Sequence, residues 1–299
     1  MQIARTYSFT LGSPDAEISS TTVSEDGELF GALVDGSPML LDFNGRKIEL
    51  PAKVHADHYE ATALSPKGRY LALGTAARLS IVVLSSGEVH TAATDAIHHL
   101  VWDVKGEKLV VGHQKPSQLS FWNPEARCTG RFSLRVPRSQ RNWIISFSAD
   151  GEYIFAASAF PPPNWLCTSS TEQATSRLRL PMGKFMHGLI PWRDGVLGIL
   201  SDHTASFELV AYTPDLTPQP VQPVPLKTDV TALSACPGKR WVAAGTVDGE
   251  LWILDAETLS IDDRILLWHT PIRTLSACAA DYVVVGASDG QLKVVELFE

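Results

Sequence analysis

The chain is poor in cysteine, in positive charge, in long apolar runs and in helical periodicity. Its four cysteines, at 128, 167, 236 and 278, form no CxxC pair, and neither a disulfide framework nor a zinc site uses such spacing. They read as reduced thiols acting as small apolar fillers. Lys and Arg number 25 against 33 Asp and Glu, a net charge of −8. A general nucleic-acid or anionic-membrane binder carries a basic excess, so no direct nucleic-acid binding is expected. No stretch approaches the roughly 20 apolar residues of a membrane helix. The opening "MQIARTYSFTLGSP" lacks the apolar core of a signal peptide. The expected location is therefore cytoplasmic, with no membrane partner. Catalytic signatures are missing too: there is no GxSxG elbow, no P-loop and no dinucleotide fingerprint. "SADGEYIF" lacks the Thr-Trp ending of a sialidase Asp-box. The chain is expected not to be an enzyme and to hold no cofactor and no metal.

What the 299 residues do contain is a repeat. A polar turn, a short apolar run and a small residue recur as "SEDGELFGA", "SPKGRYLALG", "DVKGEKLVVG", "SADGEYIFAAS", "RDGVLGILS", "CPGKRWVAAG" and "AADYVVVG". The turn glycines are 27, 68, 106, 151, 195 and 238, with Asp281 in the seventh slot. The gaps are 41, 38, 45, 44, 43 and 43 residues. A period of about 40–45 residues built from short strands is that of a four-stranded propeller blade. Strand a precedes each turn and strand b follows it. A b–c hairpin comes next, with two-residue Asp-Gly turns expected in type I′ geometry at Asp35-Gly36, Asp248-Gly249 and Asp289-Gly290. The seventh copy runs out of chain before a strand d, while "QIARTYSFTL" is a spare alternating strand ahead of the first copy. The expected fold is all-β: a single seven-bladed β-propeller domain over 1–299, with four-stranded antiparallel blades. The N-terminal strand closes the last blade, 271–299 with 1–11.

With these features the chain resembles the WD40-like seven-bladed propellers along its whole length. "LWHTPIRTLSACAADYVVVGASDGQLKVVELFE" carries the likeness best, with His269-Thr270 like the family's His before strand a and Asp289-Gly290 like its b–c turn. The pattern is degenerate. The single Gly-His dipeptide, Gly112-His113, follows a strand b, and Trp122-Asn123 or Leu254-Asp255 stands where Trp-Asp would close strand c. The family's hydrogen-bonded tetrad is not carried over. Propellers of the lactonase and TolB kinds share the a–b pattern.

In a propeller the d–a and b–c loops share one rim. That rim collects large amphipathic residues: Tyr59, Arg138, Arg141, Trp143, Phe160, Trp165, Trp268, His269 and Arg273. Aromatics and Arg dominate binding hot spots, so these are the candidate partner-binding residues. "RCTGRFSLRVPRSQR" holds five arginines and no acid, which suits a protein partner with an acidic segment. "TPDLTPQPVQPVP" (Thr213–Pro225) reads as a stiff connector or edge. His55 with His58, and His98-His99, read as structural histidines before strand a. The function these features imply is a non-enzymatic protein-interaction scaffold, a subunit of a multiprotein complex. The alternative is a lactonase-like hydrolase or small-ligand binder using the central channel.

Overall fold

The computed structural model describes the chain except residues 56, 114–117, 125–127, 134–140, 161–163, 171–175, 202–206, 220–229, 237, 288 and 299. For 118, 128–133, 141–143, 159–160 and 207 the backbone alone is described. The described strands form seven sheets. Blade 1 holds Ile18–Val23, Leu29–Val34 and Ser37–Asp42; blade 2 holds Ala61–Leu64, Tyr70–Gly74, Arg78–Val83 and Glu88–Ala93. Blade 3 runs Ile97–Trp102, Leu109–His113, Gln118–Asn123 and Cys128–Ser133; blade 4 runs Arg141–Phe147, Tyr153–Phe160, Trp165–Ser170 and Ser176–Arg179. Blade 5 is Phe185–Trp192, Gly195–Ser201, Phe207–Tyr212 and Pro218–Gln219; blade 6 is Val230–Ala235, Trp241–Thr246, Glu250–Asp255 and Ile261–Leu266. Blade 7 takes Ile272–Ala277, Tyr282–Ala287 and Gln291–Phe298, with Gln2–Thr10 as its outer strand. The N-terminal strand pairs antiparallel along the last one, from Gln2 opposite Phe298 to Thr10 opposite Gln291. Ring closure is as the sequence implied.

Blade 1 departs from the four-stranded expectation. Its outer edge keeps a vestige of a fourth strand: Asp42 N–H donates to Arg46 O (2.9 Å) and Ile48 N–H to Leu40 O (2.8 Å), around a single bridge between Leu41 and Lys47. The chain then turns away at Pro51 into the short 3-10 turn Ala52–Val54.

The apolar clusters lie between blades. Seven are resolved, each joining the facing sheets of two neighbours, such as Trp241, Ile253, Ile272 and Val285 between blades 6 and 7. Strands b are buried on both faces, which is why they read as short continuous apolar runs.

The repeated turn is anchored by a buried side chain. Ser24 Oγ accepts from Leu29 N–H (3.0 Å), Ser65 Oγ from Tyr70 N–H (3.0 Å), Asp103 Oδ1 from Lys108 N–H (3.0 Å) and Ser148 Oγ from Tyr153 N–H (2.9 Å). Cys236 and Cys278 occupy the same position in blades 6 and 7, and Cys167, Cys236 and Cys278 are free thiols. Burial pushes the Cys236 thiol up to about 12, so it stays protonated and inert. The turn slot itself is left-handed, and Asp281 takes it in the seventh copy with φ +61°. In the fifth copy Arg193 is the left-handed residue, at +51°, and Gly195 begins a strand packed on the Tyr212 carbonyl.

The Asp-Gly turns differ from expectation in two of three cases. Asp35 and Gly36 both have positive φ, 47° and 70°, as type I′ demands. At the other two turns the described left-handed residue is the glycine alone, Gly249 or Gly290. There the strands end at Thr246 and Ala287 and resume at Glu250 and Gln291, leaving three-residue loops. At the first of them Gly249 N–H donates to Thr246 O (3.2 Å), as in a loop built on a type I turn followed by one left-handed residue.

Candidate functional site: the rim and the channel mouth

Strand a of each blade faces the central channel, and in five blades it bulges within two residues of its start, at Ser19, His98, His187, Thr231 and Arg273. The residue before the bulge turns inward onto the neighbouring blade; Ile18, Ile97, Val230 and Ile272 are wholly buried there. A bulge exposes the extra residue and re-aims its side chain. Ser19, His98, His187 and Arg273 are accordingly exposed, as is Glu60 of blade 2. Together they mark the channel mouth on the d–a and b–c rim.

This geometry corrects the reading of Tyr59. It occupies the buried slot ahead of Glu60, is 1% exposed, and packs among Leu33, Leu40 and Leu73. Burial raises its phenol pKa. It is a blade 1–blade 2 core residue with no surface to offer a partner.

Trp268 is also mostly enclosed, at 8% exposure. Lys293 Nζ lies 4.2 Å from its ring centroid and donates to Leu267 O, and the Trp268 and Thr270 carbonyls rest against Gly249. Burial lowers the Lys293 pKa, with Asp289 opposing. Trp268 therefore ties the blade 6 hairpin to blade 7. Its neighbours His269 and Arg273 are exposed, and Arg273 Nε lies 3.9 Å from Glu17 Oε1. Trp165 is half-buried, with Arg177 5.9 Å from its ring. Arg141 pairs with Phe160 and Trp143 with Ser158 in the blade 4 ladder; the side chains of Arg141, Trp143 and Phe160, and Arg138 altogether, lie outside the described residues. The proline-rich stretch is an edge as far as Gln219: Pro218 and Gln219 pair with Tyr212 and Ala211.

Exposed apolar rim residues were missed, Val247 and Leu266 on blade 6 and above all Met182. Met182 is 92% exposed at the tip of the loop entering blade 5. Asn164 fastens that loop to the b–c side of blade 4, its side-chain Nδ2 donating to Lys184 O (2.9 Å) and its backbone carbonyl accepting from Leu180 N–H (3.0 Å). The Pro181-Met182-Gly183 tip signals a turn, but no periodicity marks a lone methionine as exposed.

The channel is a cavity of about 590 Å³. Its hydroxyls largely stitch blades together. Thr22 Oγ1 accepts from Leu64 N–H (2.7 Å), Ser234 Oγ accepts from Ala277 N–H (2.9 Å), and Thr21 meets Thr274 (3.0 Å) and Ser276 (3.2 Å). The histidines expected ahead of strand a at 98 and 99 lie within it and line the channel. Burial lowers His99 to about 4, helped by His98, and desolvation at the mouth lowers His98 against the pull of Glu60. Both are neutral at pH 7. His113, the Gly-His histidine, is instead buried at the end of strand b, with Nε2 sharing a hydrogen bond with Ser120 Oγ (2.7 Å). Among the described residues no group of three His, Cys, Asp or Glu is placed to hold a metal, and no helix is long and apolar enough to cross a membrane.

No protein-family model matches the chain, and no curated protein sequence does. Among solved structures it is similar to the β-propeller domain of Cps50 (Swd1) from Myceliophteria thermophila, with TM-score 0.76 over 98% of this chain and 100% of that one. Their sequences are 12% identical, so the likeness is one of fold. In fold, the chain is a seven-bladed β-propeller closed by its own N-terminal strand.

Proposed function

We propose that the protein is a non-enzymatic interaction scaffold that presents its d–a and b–c rim to a protein partner. The observation that carries this reading is Met182, held almost fully in solvent on a loop braced by Asn164 and by the Lys184–Glu208 pair at 3.0 Å. An exposed apolar side chain on a braced support costs little to bury, because the loop is already ordered. Exposed His269 and Arg273 extend the surface across blade 7, and the arginines 138 and 141 would supply the part that meets an acidic partner segment. Membership of a multiprotein complex in the cytoplasm belongs to the same proposal. Capture of partners on the tagged wild type, against a folded Met182→Asp, Arg273→Glu, Arg141→Glu variant, tests it. Partners lost in the variant alone support the rim, whereas an unchanged set overturns it.

The channel favours a second reading as a small-ligand site, since neutral His98 and His99 share its wall with Glu60. Co-purified small molecules released on denaturation, and absent from a His99→Phe variant, would decide for that reading.

A further inference from the structure

The wall of the central channel offers more acceptors than cations. Among its described charged residues Glu25, Glu60 and Asp103 are acids, and Arg273 is the base. Arg273 Nε lies 3.9 Å from Oε1 of exposed Glu17, which offsets its charge. Asp103 accepts the N–H groups of Glu107 (2.7 Å) and Lys108 (3.0 Å). His98 and His99 are neutral at pH 7 and add no positive charge. The lysines of the a–b turns are not among the lining residues. Lys239 pairs with Asp281 (2.8 Å), while Lys67 and Lys105 share their turn position with Asp26 and Asp150.

Several uncharged groups of the wall are acceptors as well. Three lining hydroxyls have spent their protons on backbone carbonyls: Thr62 on Ala72 O (3.3 Å), Ser146 on Phe147 O (3.1 Å) and Ser276 on Thr21 O (2.8 Å). Their oxygens keep acceptor capacity. His99 also lines the cavity, and its Nδ1 is buried with no hydrogen-bond partner among the described residues. A buried polar atom left unpaired is costly, and a ligand N–H aimed at Nδ1 removes that cost. Apolar Ile145, Leu189, Leu233 and Leu275 are interleaved with these groups.

The two lining glutamates mark opposite ends of the channel. Glu60 stands just before Ala61–Leu64 at the d–a mouth. Glu25 follows Ile18–Val23 at the a–b floor of the neighbouring blade. Six residues of strand a, at about 3.3 Å each, put those ends about 20 Å apart. A compact ligand reaches one end only, whereas a long flexible chain reaches both.

We propose that the channel binds a linear polyamine of about the length of spermine, a chain of ammonium groups separated by methylenes. One terminal ammonium is received by Glu60 and His99 Nδ1 at the mouth, and the other by Glu25 at the floor. The inner ammoniums meet the hydroxyl oxygens of the wall, and the methylenes pack on Leu189, Leu233 and Leu275. A cleft with an excess of one charge between low-dielectric walls focuses its field, which favours a multivalent cation over a single charge. The proposal rests on the small-ligand reading of the channel and names its ligand class. It does not depend on the rim.

The test is titration calorimetry on the full chain with spermine and with putrescine, at physiological ionic strength so that loose surface pairing is screened. Wild type is expected to bind spermine, and putrescine, too short to join the two ends, at least about tenfold more weakly. Glu60→Gln and Glu25→Gln should each weaken spermine about tenfold or more, the loss of one charge-assisted contact. Both glutamates are exposed, so the variants should fold, and melting curves check that they do. Glu257→Gln removes an exposed acid outside the channel and should leave binding unchanged. No binding of spermine, equal affinity for the two amines, or equal weakening by Glu257→Gln overturns the polyamine assignment. If spermine fails while His99→Phe still loses a co-purified molecule of another class, the small-ligand reading stands and the polyamine alone falls. If neither experiment finds a ligand, both fall.

Discussion

Asp281 stands in a slot that wants glycine, and its side chain explains why. With φ +61° it carries backbone strain, yet its carboxylate accepts from Lys239 Nζ (2.8 Å) and from Nε1 of the fully buried Trp241 (3.1 Å). Asp281→Ala keeps the strain and orphans the indole, so a loss of about 2–3 kcal/mol is expected in denaturant melts. Asp281→Gly relieves the strain and should cost less. Gly249 and Gly183 make a second contrast. Both have positive φ, 80° and 78°, but a Cβ on Gly249 would strike the Trp268 and Thr270 carbonyls, whereas around Gly183 there is open space. Gly249→Ala should therefore destabilise well beyond the roughly 1 kcal/mol of Gly183→Ala. His99 gives the chain a pH dependence. Its folded pKa, about 4, lies below the unfolded value near 6.5, so the unfolded state binds the extra proton between them. Stability should fall as pH drops from about 6.5 toward 4 and level off below. His99→Gln should flatten that part of the melting-temperature profile. The sequence showed the His98-His99 pair but not its position, because one bulged residue decides which histidine reaches solvent.

At the scale of strands, the legible features were those repeated many times. Seven recurring turns, six of them with a Ser, Asp or Cys after strand a, set the period, and "QIARTYSFTL" stood out as a strand without a blade. Features that occur once were not legible. Nothing between Asp42 and Tyr59 announces that blade 1 lacks a full outer strand, since the polar residues there suit an edge strand equally well. The same applies to Tyr59, whose buried slot is a tertiary fact that an amphipathic side chain does not advertise. Two strand-level predictions follow from the hydrogen bonds. Thr22→Val leaves the Leu64 N–H unpaired at a blade boundary and should cost about 1–3 kcal/mol. Removing residues 1–10 should lower the melting temperature sharply by exposing the edge of Gln291–Phe298, and a synthetic peptide of that sequence should restore it.

For the whole molecule, stability lies in seven interfaces of similar construction, and the loops ride on a closed ring. Such a frame leaves function to the rims and edges, which explains why the fold was readable and the site only in part. Of the rim residues chosen from sequence, His269 and Arg273 are exposed, Trp268 is a tie between blades and Tyr59 is core. The two faces differ in where their lysines sit: Lys53 and Lys184 belong to the d–a side, Lys67, Lys105 and Lys239 to the a–b side. Amine cross-linking in the native extract, read by mass spectrometry, tests the scaffold account most directly. The account predicts partner cross-links at Lys184 and Lys53. Cross-links gathered instead at Lys67, Lys105 and Lys239 would place the partner on the opposite face and contradict it.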